Sequence, residues 1–168
     1  GSDGNDVVFA ESGRDSLFGE AGNDRLFGGD GYDTISGGVG SDVLRGGRGE
    51  DRLSGDSGQD ELFGDDHNDV LLGGDGADTV FAGDGADTVF AGAGFDVVDG
   101  GAGNDRLFGE TGNDTISGGS GDDFVRGGQG ADRLSGDQGQ NEIIGDQDND
   151  TLIGGNFSDT LSGGDGND

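Results

Sequence analysis

The chain has 168 residues, with 43 Gly, 37 Asp or Glu and only 8 basic residues, all Arg, for a net charge of -29; Pro, Cys, Met, Trp and Lys are absent. With 27% apolar residues, this composition excludes a conventional wide core, and the lack of Cys excludes disulfides and thiolate metal sites. The acidic surplus argues against nucleic acid or anionic lipid as a partner. Apolar runs such as Val7 to Ala10 are too short for a membrane span or a cleaved export signal.

From Gly1 the chain divides into 18 blocks of nine residues and a final six, without an insertion. Column one holds Gly or Ala throughout, and every Gly falls in column one, two or four. Column eight is aliphatic in every complete block. In chain order the predicted strands therefore centre on Val8, Leu17, Leu26, Ile35, Leu44, Leu53, Leu62, Leu71, Val80, Val89, Val98, Leu107, Ile116, Val125, Leu134, Ile143, Leu152 and Leu161. Each is a three-residue strand whose middle side chain faces inward, preceded by a six-residue loop in which glycine supplies positive φ. Two blocks facing each other through their aliphatic residues close one 18-residue turn. The expected fold is all-β, a parallel two-sheet β-solenoid over 1–168 as a single domain, with about nine turns at ~4.8 Å each and a length of about 45 Å.

Column six is Asp6, Asp15, Asp24, Asp33, Asp42, Asp51, Asp60, Asp69, Asp78, Asp87, Asp96, Asp105, Asp114, Asp123, Asp132, Asn141, Asp150, Asp159 and Asp168. Aspartates stacked turn above turn repel one another, and a divalent cation between them reverses the sign of that interaction. Hard carboxylate and carbonyl oxygens, without imidazole or thiolate, select Ca²⁺ over zinc or copper, and a flexible Gly-rich cage suits calcium better than octahedral magnesium.

The block Gly28-Gly29-Asp30-Gly31-Tyr32-Asp33-Thr34-Ile35-Ser36, like Gly118 to Arg126, resembles the glycine-rich nonapeptide of RTX (repeats-in-toxin) proteins. The resemblance covers the whole chain and implies a right-handed parallel β-roll, in which calcium sits between a loop and the loop 18 residues later. Carried over, the carbonyls of Gly29 and Gly31 with Asp33 would share an ion with the carbonyls of Gly46 and Arg48 and with Asp51. On the opposite edge, Gly38, Gly40 and Asp42 would share one with Gly55, Ser57 and Asp60. Nineteen loops paired at this offset give up to about 17 sites, and full occupancy would move the net charge from -29 to about +5.

Four residues depart from the pattern at positions that the implied sites use: His67, Asp148 and Phe157 replace the column-four Gly, and Asn141 replaces Asp. A bulky Phe at a left-handed position is expected to be an outlier, and the loops from 136 to 159 are expected to bind calcium more weakly. His67, the single histidine, sits in a loop column without a nucleophile motif, so no catalytic residue is assigned and the segment is not expected to be an enzyme. Seven column-nine Phe (Phe9, Phe18, Phe27, Phe63, Phe81, Phe90 and Phe108) point outward, either as a docking surface or covering one another along the stack. An 81-residue offset relates Gly19 to Phe27 with Gly100 to Phe108, and Asp51 to Asp56 with Asp132 to Asp137. This nine-block duplication is four and a half turns, so copied side chains land on opposite sheets.

The missing initiator Met and an end inside a motif lead us to expect a fragment of a larger protein, with flanking domains as partners besides calcium. The resemblance implies a secreted or cell-surface bacterial module that crosses a type I exporter unfolded, folds outside on calcium and stabilises or spaces domains absent from this chain. The alternatives are a calcium-dependent polysaccharide-binding accessory module, using Arg25, Arg52, Arg106 and Arg133, and a structural adhesin or surface-layer rod.

Overall fold

A computed structural model describes all 168 residues. It contains 19 strands and no helix. Strands alternate between two parallel sheets, one of ten strands, which includes the short piece Ser12–Gly13, and one of nine. Every pairing joins residue i to residue i+18: Leu26 to Leu44 and Leu44 to Leu62 in one sheet, Ile35 to Leu53 and Leu53 to Leu71 in the other. The chain is a β-solenoid of about nine 18-residue turns, as the period predicts.

The core is a double file of column-eight side chains. Leu26, Leu44, Leu53, Leu62 and Leu71 are fully buried, as are Val80, Val89, Leu107, Val125, Leu134 and Ile143. The strands are longer than the three residues expected: most run six, such as Thr34–Val39, Val43–Arg48 and Glu61–Asp66. They continue through columns one to three of the next block, so column one also faces inward, and Ala82 and Ala91 belong to the core. A glycine column carries no side chain to reveal that parity.

Column four sets how closely the turns approach. Gly49 has φ +123°, and a Cβ built on it would overlap the carbonyl oxygen of Gly31 one turn earlier. All ten non-glycine residues with positive φ lie in column two or four. Seven are acidic column-two residues such as Glu20 and Asp65, and the other three are His67, Asp148 and Phe157 at φ 85°, 76° and 76°. Phe157 is the expected outlier, left-handed and exposed. Toward that end three strands of the ten-stranded sheet shorten to Thr115–Ser117, Arg133–Ser135 and Thr151–Ile153. Bridges from Ala102 to Ser120, Ser120 to Gln138 and Gln138 to Asn156 continue the register.

Six of the seven outward column-nine Phe stack in pairs along the solenoid, while Phe18 lies beside Ser36 and is exposed. Phe9 stacks on Phe27, Phe63 on Phe81 and Phe90 on Phe108, with centroids 4.6, 5.2 and 4.9 Å apart. Arg25 and Arg133 lie on one sheet, whereas Arg52 and Arg106 lie on the other. Arg106 is held over the rings of Phe108 and Phe124, so these four arginines form no single basic face.

Candidate metal centre

Column six lies at the two edges of the solenoid, where each loop turns into the next strand. From Asp24 to Asp150 every member of the column is buried, at most 4% exposed, and Asn141 is buried with them. Backbone bonds fix each residue from both sides. The Asp33 carbonyl accepts from the Arg52 N–H at 2.9 Å, and the Asp33 N–H donates to Oδ1 of Asp51 at 2.7 Å. The same N–H to Oδ1 bond recurs along both edges, for example from Asp24 to Asp42, Asp42 to Asp60, Asp51 to Asp69 and Asp69 to Asp87. One oxygen of each aspartate is thus part of the scaffold, a role that the column alone did not disclose.

The other oxygen has no partner. Oδ2 is buried and without a hydrogen bond in fifteen aspartates: Asp15, Asp24, Asp33, Asp42, Asp51, Asp60, Asp69, Asp78, Asp87, Asp96, Asp105, Asp114, Asp123, Asp132 and Asp150. A buried carboxylate oxygen left unpaired is costly, and a row of them is a standing demand for positive charge. Asn141 behaves as a natural contrast. Its Oδ1 still accepts from the Asp123 N–H at 2.9 Å, while its Nδ2 donates to the Gly139 carbonyl at 3.4 Å.

Burial governs the titration of this column. It pushes Asp69 up to about 8 and Asp60, Asp105 and Asp114 up to about 7; in each case the backbone N–H one turn earlier pulls back and neighbouring carboxylates add repulsion. Asp51, Asp78 and Asp132 are raised to about 6 for the same leading reason. Asp137, outside the column, shifts downward because the Ser117 and Ser135 hydroxyls donate to it.

The loops proposed to share an ion lie in adjacent turns. Gly29 pairs with Gly47 and Asp30 with Arg48. The carbonyls of Gly29 and Gly31 face the later turn, since a Cβ on Gly47 or Gly49 would meet them. The Gly46 carbonyl faces back, 2.8 Å from where a Gly28 Cβ would stand. On the other edge the Gly38 to Asp42 and Gly55 to Asp60 loops are similarly joined, the Ser57 carbonyl accepting from the Gly40 N–H at 2.9 Å. A Cβ on Gly55 would stand 2.5 Å from both Asp60 Oδ2 and the Gly73 carbonyl oxygen, so the carboxylate and the next turn's carbonyl converge beside that glycine. No cluster of three carboxylate or imidazole groups forms anywhere; the oxygen-rich places combine paired aspartates with backbone carbonyls, the donor chemistry of a hard cation.

Sequence reasoning missed a second ladder in column five. Asn5, Asn23, Asn68, Asn104 and Asn113 each accept, through Oδ1, the N–H of the residue 18 positions later. The recurrence of Asn immediately before Asp was its only trace in the sequence. His67 is exposed and serves the loop through its own N–H, which donates to the Asp84 carbonyl.

A family model for the RTX calcium-binding nonapeptide repeat, built on four copies, matches residues 1–35, 33–62, 63–98, 81–116, 99–134, 108–143 and 144–168. No curated protein matches the chain. Matches spanning the whole chain, on a two-sheet solenoid with an orphaned oxygen in nearly every turn of its aspartate columns, make the assignment plain: the chain belongs to the RTX calcium-binding nonapeptide-repeat family and is a calcium-binding β-roll module.

Proposed function

We propose that this module is the calcium-dependent folding and spacing element of a secreted protein, with no catalytic residue of its own. The observation that carries the reading is the row of fifteen buried, unpartnered Oδ2 atoms. Asp33 and Asp51, with the carbonyls of Gly29, Gly31, Gly46 and Arg48, would hold one ion. Asp42 and Asp60, with Gly38, Gly40, Gly55 and Ser57, would hold its neighbour on the other edge, and the pattern repeats to up to about 17 ions. Bound calcium supplies the positive charge that lets the columns ionise without mutual repulsion. The chain's own part is to hold one oxygen of each aspartate in the Oδ1 ladder and leave the second free.

At a net charge of -29 the metal-free chain repels itself, and its file of aliphatic residues is narrow. Such a chain stays unfolded where calcium is scarce and folds where it is abundant, which suits export through a narrow channel followed by folding outside. Circular dichroism with calorimetry tests this: a cooperative coil-to-β transition is expected at roughly 10⁻⁴ to 10⁻³ M calcium, the range of extracellular modules, with about 13 to 17 ions bound. A native-like spectrum in excess chelator at neutral pH would refute it.

A further inference from the structure

The nine-block duplication has copied a second feature onto both broad faces. On one sheet Phe9 and Phe27 stack at 4.6 Å with 8° between ring planes. Next in that column, Arg45 grips Asp65 through two bonds, Nε to Oδ2 at 2.5 Å and Nη2 to Oδ1 at 2.8 Å. Eighty-one residues on, on the opposite sheet, Phe90 and Phe108 stack at 4.9 Å and 8°, and Arg126 grips Asp146 through the same two nitrogens.

Each arrangement borders an open groove. One, of about 360 Å³, is lined by Phe27, Arg45, Gly46, Gly47, Arg48 and Asp65 among others. The other, of about 560 Å³, is lined by Phe108, Arg126, Gly127, Gly128, Gln129 and Asp146 among others. These two sets correspond one to one at the offset of 81. Elsewhere in column nine Phe18 has become Asp99 and Phe63 Ile144, while Ser36 and Ser54 are kept as Ser117 and Ser135. At the rim the exposed ion pair of Arg48 with Asp66 at 3.5 Å is replaced by Gln129 and Gln147, so a pair of planar hydrogen-bonding groups is kept while its charge is dropped.

An aromatic wall, a flat glycine floor and planar polar groups suit a ligand with one apolar C–H face and an edge of hydroxyls. The gripping guanidinium in each groove is neutralised by its own aspartate. Glu110 and Asp165 add negative charge to one groove; in the other Asp66 is paired with Arg48 and Asp30 adds the surplus negative charge, which disfavours a polyanion. A purely apolar ligand would leave the rim groups unpaired. We propose that the two grooves are an equivalent pair of binding sites for a neutral saccharide. Half a turn in the offset puts them on opposite faces, displaced by about 22 Å along the axis at ~4.8 Å per turn, so one module bridges two polysaccharide chains.

The test is electrophoresis of the calcium-loaded module through native gels containing galactomannan, dextran or hydroxyethylcellulose, with alginate as the anionic comparison. Retardation is expected in at least one neutral gel. Phe27→Ala or Phe108→Ala alone should weaken it and abolish the rise in solution viscosity that cross-linking produces; the two together should weaken binding by about tenfold or more, the scale of a lost aromatic contact. Arg48→Ala with Gln129→Ala, which leaves the ring stacks intact, should also weaken it, so the proposal stays testable if the Phe variants lose β structure. Absence of retardation in all three neutral gels by a module that is β-structured by circular dichroism would overturn the proposal. So would retardation by alginate alone, or unchanged retardation of the folded double variants.

Discussion

Asp69→Asn is the sharpest test of the role assigned to the aspartate columns. Asp69 stands between Asp51 and Asp87: its Oδ1 accepts from the Asp51 N–H and its own N–H donates to Asp87, both at 2.7 Å. Its unpartnered Oδ2 therefore belongs to two proposed calcium sites. Asn keeps the Oδ1 ladder, as Asn141 demonstrates, and removes one charged ligand from each site. Taking about 1.5 kcal/mol for a lost charged contact, two sites give about 3 kcal/mol through binding linkage. At ~2–4 °C per kcal/mol for a chain of this size, Tm in saturating calcium should fall by about 6–12 °C, with up to two fewer ions by calorimetry. Asp66→Asn makes the same charge change at an exposed position and should alter stability by no more than ~0.5 kcal/mol. Equal effects of the two substitutions, or an unchanged ion count for Asp69→Asn, would refute the reasoning.

Three further outcomes follow from the same geometry. Because burial raises Asp69 to about 8 and Asp60, Asp105 and Asp114 to about 7, the protonated column favours folding: this contribution is complete below the ordinary carboxylate value of ~4 and is lost as pH rises through about 6–8. The chelated chain should therefore show more β signal at pH ~4.5 than at pH ~8.5 by circular dichroism; an equal or larger β signal at the higher pH contradicts it. Gly49→Ala must place a Cβ against the Gly31 carbonyl and should cost about 2 kcal/mol or more in a calcium-saturated melt. Gly46→Ala should cost less than half as much, since Ala82 and Ala91 already occupy column one. Asn141→Asp should restore an oxygen to the two sites formed with Asp123 and Asp159 and raise the ion count by up to two in a calorimetric titration.

The nine-residue period discloses the turn length, the sheets and the identity of the core, because column eight is aliphatic without exception and a parallel ladder repeats whatever the period repeats. It does not disclose strand length. The inward-facing column one is glycine at most positions, and only Ala10, Ala82 and Ala91 carry a side chain that reports its parity. At the candidate site the ligand residues are legible as a column. The division of labour between the two carboxylate oxygens is not, because it depends on a backbone N–H reaching a side chain 18 residues away. The Arg45 to Asp65 grip has a spacing of 20 residues, which acquires meaning only once the 18-residue register is known: one turn plus the two residues that separate columns nine and two. The face-to-face rings of Phe9 and Phe27 are legible as spacing, since 18 residues place them on neighbouring turns, but their 8° alignment is not.

The strand register, the aspartate and asparagine ladders and the ring stacks all join i to i+18, so stability accrues from neighbouring turns in series. Such a chain accepts the insertion of any whole number of blocks, since the core file and both aspartate edges resume in phase. An even number returns outward side chains to their original face, whereas an odd number exchanges the faces. The nine-block duplication is odd, and it accordingly preserved calcium chemistry on both edges while giving each broad face its own copy of the ring stack and arginine–aspartate grip. A ligand face copied by an even number of blocks would have produced one long one-sided track; this arrangement instead presents like surfaces back to back. The geometry of the module is therefore that of two like surfaces set back to back on one rod, which is the arrangement that the proposed cross-linking of two saccharide chains requires.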